Sequence, residues 1–253
     1  MMKHNYDSFV TIIMAAGVGK RMRSNLPKVL HPLAGHSLVH YVIKLTQDMG
    51  SKRTVLVIGH GREQVIEQTR KYGVEWAVQE QQLGTGDAVM VCYEALKDYD
   101  GNVLILSGDV PLLRPESVSE AFNEHDSTQA SATVFTFLPD DPTGYGRIIR
   151  GNDGEVLRIV EHKDASEDER VVNEVNGGIY IINSKQLFIA LGKISNKNKS
   201  GEFYLTDTLE IIRQMGMRVS AYIVKDPIEM SGVNDSEQLK ELEKYYLDNR
   251  VKQ

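Results

Sequence analysis

The chain has 253 residues, 41% of them hydrophobic and 25% charged, with a formal net charge of −6. That balance supports one sizeable core or two closely joined lobes and excludes a disordered chain. An acidic total weighs against a nucleic-acid partner, and no stretch reaches the ~20 apolar residues of a membrane span.

Residues 1–8 are polar, with Lys3, His4, Asn5 and Asp7, and do not form a signal peptide. Residues 9–15 are a continuous apolar run ending at Ala16-Gly17, the pattern of a buried strand entering a ligand loop. Leu38, Tyr41, Val42, Leu45 and Met49 recur at helical spacing, and Gly50 supplies a stop. Residues 54–58 read as a strand, 63–72 as a helix, 74–78 as a strand, 85–97 as a helix and 103–106 as a strand. Such alternation signals βαβ units and a mostly parallel sheet covered by helices.

Further on, residues 130–138 are strand-like, and 147–150 and 156–160 flank the hairpin signal Gly151-Asn152-Asp153-Gly154. Residues 179–182 predict another strand, 205–215 a helix and 219–224 a late strand; 194–202 is a polar, exposed loop. Leu239, Leu242 and Tyr246 share one face of a final helix, for which Asp235 with Gln238 is a start signal. The single Cys92 sits among Ala88, Val89, Ala95 and Leu96, which suits packing on a helix face and a reducing cytoplasm.

Three stretches carry chemistry. Gly17-Val18-Gly19-Lys20-Arg21-Met22 lacks the glycine run and Ser/Thr end of a Walker A loop. It also lacks the third glycine of a dinucleotide fingerprint, and Gly59-His60 stands where that fold needs a ribose-binding acid. Two glycines followed by Lys20, Arg21 and Lys28 can still offer N–H groups and cations to a triphosphate; a tight turn with a solvated charge cluster is the plain alternative. In the second stretch, Gly84 and Gly86 again permit close approach. Thr85 is a candidate helix cap, and Gln79 or Gln82 can read a base edge. In the third, Asp109 follows an apolar strand, where it either caps a helix or binds Mg²⁺, with Asn234 and Asp235 as candidate co-ligands. Elsewhere Glu161, His162 and Lys163 read as a salt-bridged rim and Asn173–Gly178 as turn chemistry. Residues 143–147 form a lip whose Gly146 can present backbone to a sugar, and the histidines show no zinc spacing.

The order of motifs resembles the N-terminal pyrophosphorylase domain of the bacterial bifunctional N-acetylglucosamine-1-phosphate uridyltransferases/glucosamine-1-phosphate acetyltransferases. It runs through Ala15-Ala16-Gly17-Val18-Gly19-Lys20-Arg21-Met22, Leu26-Pro27-Lys28-Val29-Leu30-His31, Gln82-Leu83-Gly84-Thr85-Gly86 and Ser107-Gly108-Asp109. It continues with Gly144-Tyr145-Gly146-Arg147-Ile148, Val160-Glu161-His162-Lys163-Asp164, Asn173-Glu174-Val175-Asn176, Gly201-Glu202-Phe203-Tyr204-Leu205-Thr206-Asp207 and Gly232-Val233-Asn234. The first and fourth motifs indicate a broad sugar-nucleotidyltransferase superfamily; the full succession favours N-acetylglucosamine 1-phosphate.

The resemblance implies an α/β, Rossmann-like nucleotidyltransferase fold with a mostly parallel mixed sheet flanked by helices and a smaller sugar-binding β subregion. It implies Mg²⁺-dependent transfer of UMP from UTP to N-acetyl-α-D-glucosamine 1-phosphate, releasing pyrophosphate. Ala16, Gly17, Gln79, Gln82, Gly84 and Thr85 would line the uridine side, Arg21 and Lys28 the phosphates, and Asp109 and Asn234 the metal. Gly146, Glu161, Asn176, Tyr204 and Thr206 would surround the acetamido sugar. Residues 1–232 are then the nucleotidyltransferase domain and 233–253 a helix and tail, with no left-handed β-helical acetyltransferase domain. Because that β-helix supplies most trimer contacts in the family, a monomer or weak homo-oligomer is expected. Lys20 for Thr, Gly177 for Thr and Phe203 for Tyr depart from the family pattern. The competing readings are transfer to another sugar phosphate or nucleotide, an inactive nucleotide-sugar sensor and, more remotely, a dehydrogenase.

Overall fold

The structure is a computed structural model that describes residues 8–250; the polar opening 1–7 and the tail 251–253 lie outside the described residues. β1 (Phe9–Met14) is followed by a two-residue ladder of β2 (Pro32–Leu33) and β3 (His36–Ser37), then α1 (Leu38–Asp48), β4 (Thr54–Ile58), α2 (Arg62–Thr69) and β5 (Glu75–Val78). α3 (Thr85–Met90), α4 (Tyr93–Leu96), β6 (Asn102–Ser107), α5 (Pro115–Ser127) and β7 (Ala132–Phe137) come next. The hairpin of β8 (Arg147–Arg150) and β9 (Val156–Val160) leads to α6 (Glu167–Arg170), β10 (Val175–Asn183), α7 (Ser184–Leu191), α8 (Asp207–Gln214), β11 (Val219–Ile223) and α9 (Ser236–Arg250).

The main sheet runs β11-β7-β10-β6-β1-β4-β5, with the β8–β9 hairpin branching from β10. β6, β1, β4 and β5 are mutually parallel, and β10 runs against both of its neighbours. Side-chain alternation makes two cores. Phe9 and Ile13 face Val42, Val118 and Phe122, while Val10 and Ile12 face Val89, Cys92, Leu209 and Ile212. A third, smaller cluster seats α9 through Leu242 on Leu33, Leu38, Met22 and Val233. Among the described residues no helix is long and apolar enough to cross a membrane.

The elements differ from the sequence reading at several places. The helix expected over 85–97 is two pieces, because the Cys92 N–H bonds the Val89 carbonyl at 3.1 Å and tightens the turn between them. α5 was not anticipated; Pro115 starts it with the backbone already set, and Val118, Ala121 and Phe122 bury one face. α7 was also missed, although Asn183 caps it by accepting from the Lys185 N–H. Finally, Gly177-Gly178 is not a turn between elements. β10 already begins at Val175, and its register with β7 shifts between Asn176 and Tyr180, with Gly178 at φ +73.

This topology fixes where a ligand can bind. The chain lays β4 and β5 on one side of β1 and then returns to lay β6 on the other, so the carboxyl ends of β1 and β6 flank a switch-point crevice. Because β10 is antiparallel, its beginning lies at that same edge, with Asn176 paired to Thr136 near the end of β7.

Candidate active site

Three segments far apart in sequence converge at the crevice. The Gly108 N–H bonds the Met14 carbonyl at 2.9 Å, which locks the two strand ends together, and a side chain at Gly108 would crowd that carbonyl and Val29. Asp109, 8% exposed, follows directly. Lys28 donates from Nζ to Asp109 Oδ2 and, at 3.4 Å, to Asn234 Oδ1. The bond from the Val233 N–H to the Asp109 carbonyl, at 3.0 Å, brings residue 234 there. A carboxylate and an amide oxygen therefore already share one cation. Two hard oxygen donors beside phosphate-sized space fit a divalent cation whose other ligands are phosphates and water.

Asp235 has a different job from the one considered for it. Its Oδ1 accepts the N–H groups of Glu237 and Gln238 at 3.0 and 2.9 Å and so caps α9, while Gln238 accepts from the Asn234 N–H at 2.8 Å. The cap holds Asn234 in place rather than adding a third oxygen.

A cavity of about 290 Å³ opens beside Lys28 and Asp109, lined by Ala16, Gly17, Gln79, Gln82, Gly84 and Thr85 among others. Gly19, at φ +63, allows the loop to press on Lys28: a Cβ there would stand 2.7 Å from the lysine Cβ. Gln82 Nε2 donates to the Ala16 carbonyl at 3.1 Å. The Gln79 amide is buried, and its Nε2 donates to the Gly84 carbonyl and Asp87 Oδ2 at 3.1 and 2.8 Å. This arrangement leaves the Gln79 amide oxygen to meet a ligand donor. Arg21 lies outside the cavity. It is exposed and lines a neighbouring groove with Lys20, Arg23, Asp235, Ser236 and Glu237.

The second glycine pair meets protein backbone. A Cβ on Gly84, at φ +126, would come 2.4 Å from the Phe203 carbonyl oxygen. Phe203 and Leu83 are joined by an N–H to carbonyl bond at 2.8 Å, as are Gly86 and Phe203. Thr85 does not cap α3, whose N-cap is Gly84; its hydroxyl accepts from the Leu205 N–H at 3.0 Å. Residues 83–86 and 203–205 thus form a seam between the nucleotide-sized cavity and the segment carrying Tyr204 and Thr206.

At the far end of the crevice, Thr206 is buried and donates to Glu161 Oε1 at 3.2 Å. Burial pushes the Glu161 carboxyl above its ordinary value, the Thr206 hydroxyl opposes this, and the carboxylates of Asp207, Asp164 and Glu202 add to the rise. The expected salt-bridged rim is therefore not what forms: Glu161 has a hydroxyl partner, and Lys163 donates to Ser200 Oγ at 3.3 Å. Gly146 is drawn in by the bond from the Asn176 N–H to its carbonyl, at 2.9 Å, and an added Cβ would stand 3.6 Å from Glu161 Oε1. Tyr204 points its hydroxyl to Asp164 Oδ2 at 3.3 Å.

This placement of glycine loop, lysine and carboxylate at a switch point coincides with a family match. The nucleotidyl transferase model covers residues 10–228. The chain belongs to the nucleotidyl transferase family.

This nucleotidyl transferase is 48% identical over 231 residues to the bifunctional protein GlmU of Geobacter metallireducens, covering 91% of this chain and 48% of that protein. It is 45% identical over 242 residues to the same-named protein of Geobacillus thermodenitrificans, covering 96% of this chain and 52% of that one. The chain thus spans about half the length of these relatives. Its fold also matches a solved UDP-glucose pyrophosphorylase complexed with UDP-glucose, with a TM-score of 0.78 at 18% identity over 96% of this chain and 100% of that one.

Several residues that shape the candidate site escaped the sequence reading. Ser107 Oγ donates to Asp109 Oδ1 at 2.7 Å and so fixes the carboxylate oxygen that Lys28 leaves free. Glu202 lines the nucleotide-sized cavity although it comes from the polar loop. Tyr180, 2% exposed, exchanges hydrogen bonds with the Asn176 amide at 2.8 and 3.1 Å. Ser107 and Glu202 lie within the motifs Ser107-Gly108-Asp109 and Gly201–Asp207, whereas Tyr180 has the local pattern of any apolar strand residue.

Proposed function

We propose that this chain transfers UMP from UTP to N-acetyl-α-D-glucosamine 1-phosphate, giving UDP-N-acetylglucosamine and pyrophosphate. The observation that carries the reading is the convergence of Lys28, Asp109 and Asn234 at the mouth of the cavity lined by Gly17, Gln79, Gln82 and Thr85. Such a centre suits a reaction between two highly charged phosphates. The succession of motifs resembling the uridyltransferase domain supports the choice of nucleotide and sugar.

In the proposed reaction a sugar-phosphate oxygen attacks the α-phosphorus of UTP in line, the bond to the bridging oxygen breaks, and pyrophosphate leaves. The attacking oxygen is already anionic near neutral pH, so no serine, cysteine or general base is needed. The only cysteine is buried among apolar side chains, with its thiol pushed up to about 12. Catalysis then comes from positioning and charge neutralisation.

Lys28 neutralises phosphate charge beside Asp109, and Arg21, on the outer groove, meets the tail of the triphosphate. Ala16, Gly17 and Gly84 offer backbone to the nucleotide, with the Gln79 oxygen, Gln82 and Thr85 framing the uracil. Gly146, Glu161, Asn176, Tyr204 and Thr206 take the acetamido sugar, whose hydroxyls donate to the half-buried Glu161. Asp109 and Asn234 would hold Mg²⁺, which would supply neutralisation and alignment of the phosphates. Residues 1–232 act as the transferase unit, with α9 as a brace behind Asn234.

Pyrophosphate release from UTP with a panel of sugar 1-phosphates tests the reading. N-acetylglucosamine 1-phosphate should give the highest kcat/KM; higher efficiency with glucose 1-phosphate would reassign the substrate, and no release with any member would defeat the reaction.

A further inference from the structure

Arg147 is the largest of the fully buried side chains, with 2% of its surface exposed. Among the described residues it has no carboxylate within ion-pairing distance. Its donors go instead to neutral acceptors: Nη1 to the Tyr145 carbonyl, Nε to the Arg170 carbonyl at 3.4 Å, and Nη2 to His162 Nδ1, which lies within 3.5 Å. A guanidinium only donates, so this contact uses the His162 nitrogen as its acceptor. Burial, together with the like charge of Arg170, pulls the guanidinium below its ordinary value, and Asp141 opposes this. A buried cation without a carboxylate is costly, and an apolar side chain would fill the space without that penalty.

The partners show what the planar fork supplies. The Tyr145 carbonyl belongs to the irregular lip over the sugar end of the crevice, where Gly144 has φ +88 and Tyr145 stacks edge-on against Phe137 with ring centroids 5.2 Å apart. His162 follows Glu161 directly. The Arg170 carbonyl closes α6, and Arg170 Nη2 returns to the His162 carbonyl at 3.4 Å. Gly146 sits between the residue held and the residue holding it.

We propose that Arg147 is a positioning residue for the sugar phosphate: its guanidinium ties the lip at Tyr145 to the loop after Glu161, so that the Gly146 backbone and the Glu161 carboxylate face the sugar at a fixed spacing. The inference rests on the reading of this end as the sugar subsite and names a residue that does not itself touch the substrate. Lysine cannot replace the fork, because a single ammonium cannot span the diverging acceptors.

The test compares Arg147→Lys, Arg147→Met and His162→Leu in the full chain, by pyrophosphate release with each substrate varied in turn. Arg147→Lys should raise KM for N-acetylglucosamine 1-phosphate about tenfold, with KM for UTP changed less than about twofold, as expected when a distant residue sets a subsite's geometry. Arg147→Met should do the same without lowering the melting temperature, and His162→Leu, which removes one acceptor at a half-exposed position, should give about a threefold rise. A purely structural arginine would lower melting temperature and active fraction while leaving both KM values in place, and that result overturns the proposal. Absence of turnover in the wild-type chain overturns the functional reading instead. The clamp is then read by amide exchange at residues 143–146, which must be faster in Arg147→Lys than in the wild type; equal rates overturn it.

Discussion

In the parallel half of the sheet, β5, β1 and β6 deliver candidate-site residues from loops that follow strand ends, whereas in the half built on β10, β7 and the β8–β9 hairpin the candidates come from a bulge, a hairpin exit and a helix start. The first half compensates its charges locally: Lys28 lies on Asp109, and Ser107 takes the second oxygen. The second half leaves a carboxyl buried against a hydroxyl, at Glu161 and Thr206, with other acids around it. Paired charges suit groups that must stay ionised beside phosphates. A carboxyl with spare acceptor capacity suits hydroxyl and amide donors of a neutral ring. The seam between residues 83–86 and 203–205 joins the two halves.

Substitutions in the charged half should cost most. Asp109→Ala removes a proposed metal ligand and the partner of Lys28, and turnover should fall about 10³-fold at saturating substrates, with a nearly unchanged melting temperature. Pyrophosphate release checks this, and retention of more than a tenth of wild-type turnover would remove Asp109 from the chemistry. Lys28→Ala should lose about 10²-fold, mainly in kcat; unchanged kinetics with both substrates would make Lys28 a structural counter-ion.

The seam is tested by Gly84→Ala. The added methyl meets the Phe203 backbone, and φ +126 strains any L side chain, so stability should drop by about 1–3 kcal/mol. KM should rise for both substrates. A rise for one substrate alone would show that the halves are not coupled there.

The contrast also explains what could be read from sequence. In the parallel half each candidate lies soon after the end of its own strand, so Gly17, Lys28, Gly84 and Asp109 could be singled out from local patterns. Asn234 could be named but not placed, because contacts between residues far apart in sequence, led by the bond from the Val233 N–H to the Asp109 carbonyl, bring it there. In the other half Asn176 resembled a turn residue, since a bulge and a turn use the same Asn-Gly-Gly chemistry and differ only in what pairs alongside. Arg147 was hidden for a related reason: nothing local distinguishes a buried arginine from a solvated one. Thr85 misled in the opposite direction, having a cap residue's identity while its hydroxyl is taken by Leu205.

The smallest expected effect concerns acidity. Asp207, at the start of α8, is pushed up from 3.8 to about 6 by burial and by the carboxylates of Glu210 and Asp164. Below the unfolded value the group is neutral in both states and costs nothing. As pH rises through about 6 the fold must carry the charge, so the penalty is fully present above that pH. Asp207→Asn should therefore stabilise the protein by about 1–2 kcal/mol at pH 8 and change nothing near pH 3.5. Denaturant melts at the two pH values check the sign; equal gains at both would assign the effect to packing.

The division of labour between the halves is tested most directly by the two KM values of Glu161→Gln. The side chain keeps its volume and an acceptor for Thr206 but loses the charge-assisted bonds proposed to the sugar. KM for N-acetylglucosamine 1-phosphate should rise about tenfold and KM for UTP stay within about twofold. An equal rise in both, or a rise for UTP alone, would contradict the assignment of the sugar to this end of the crevice.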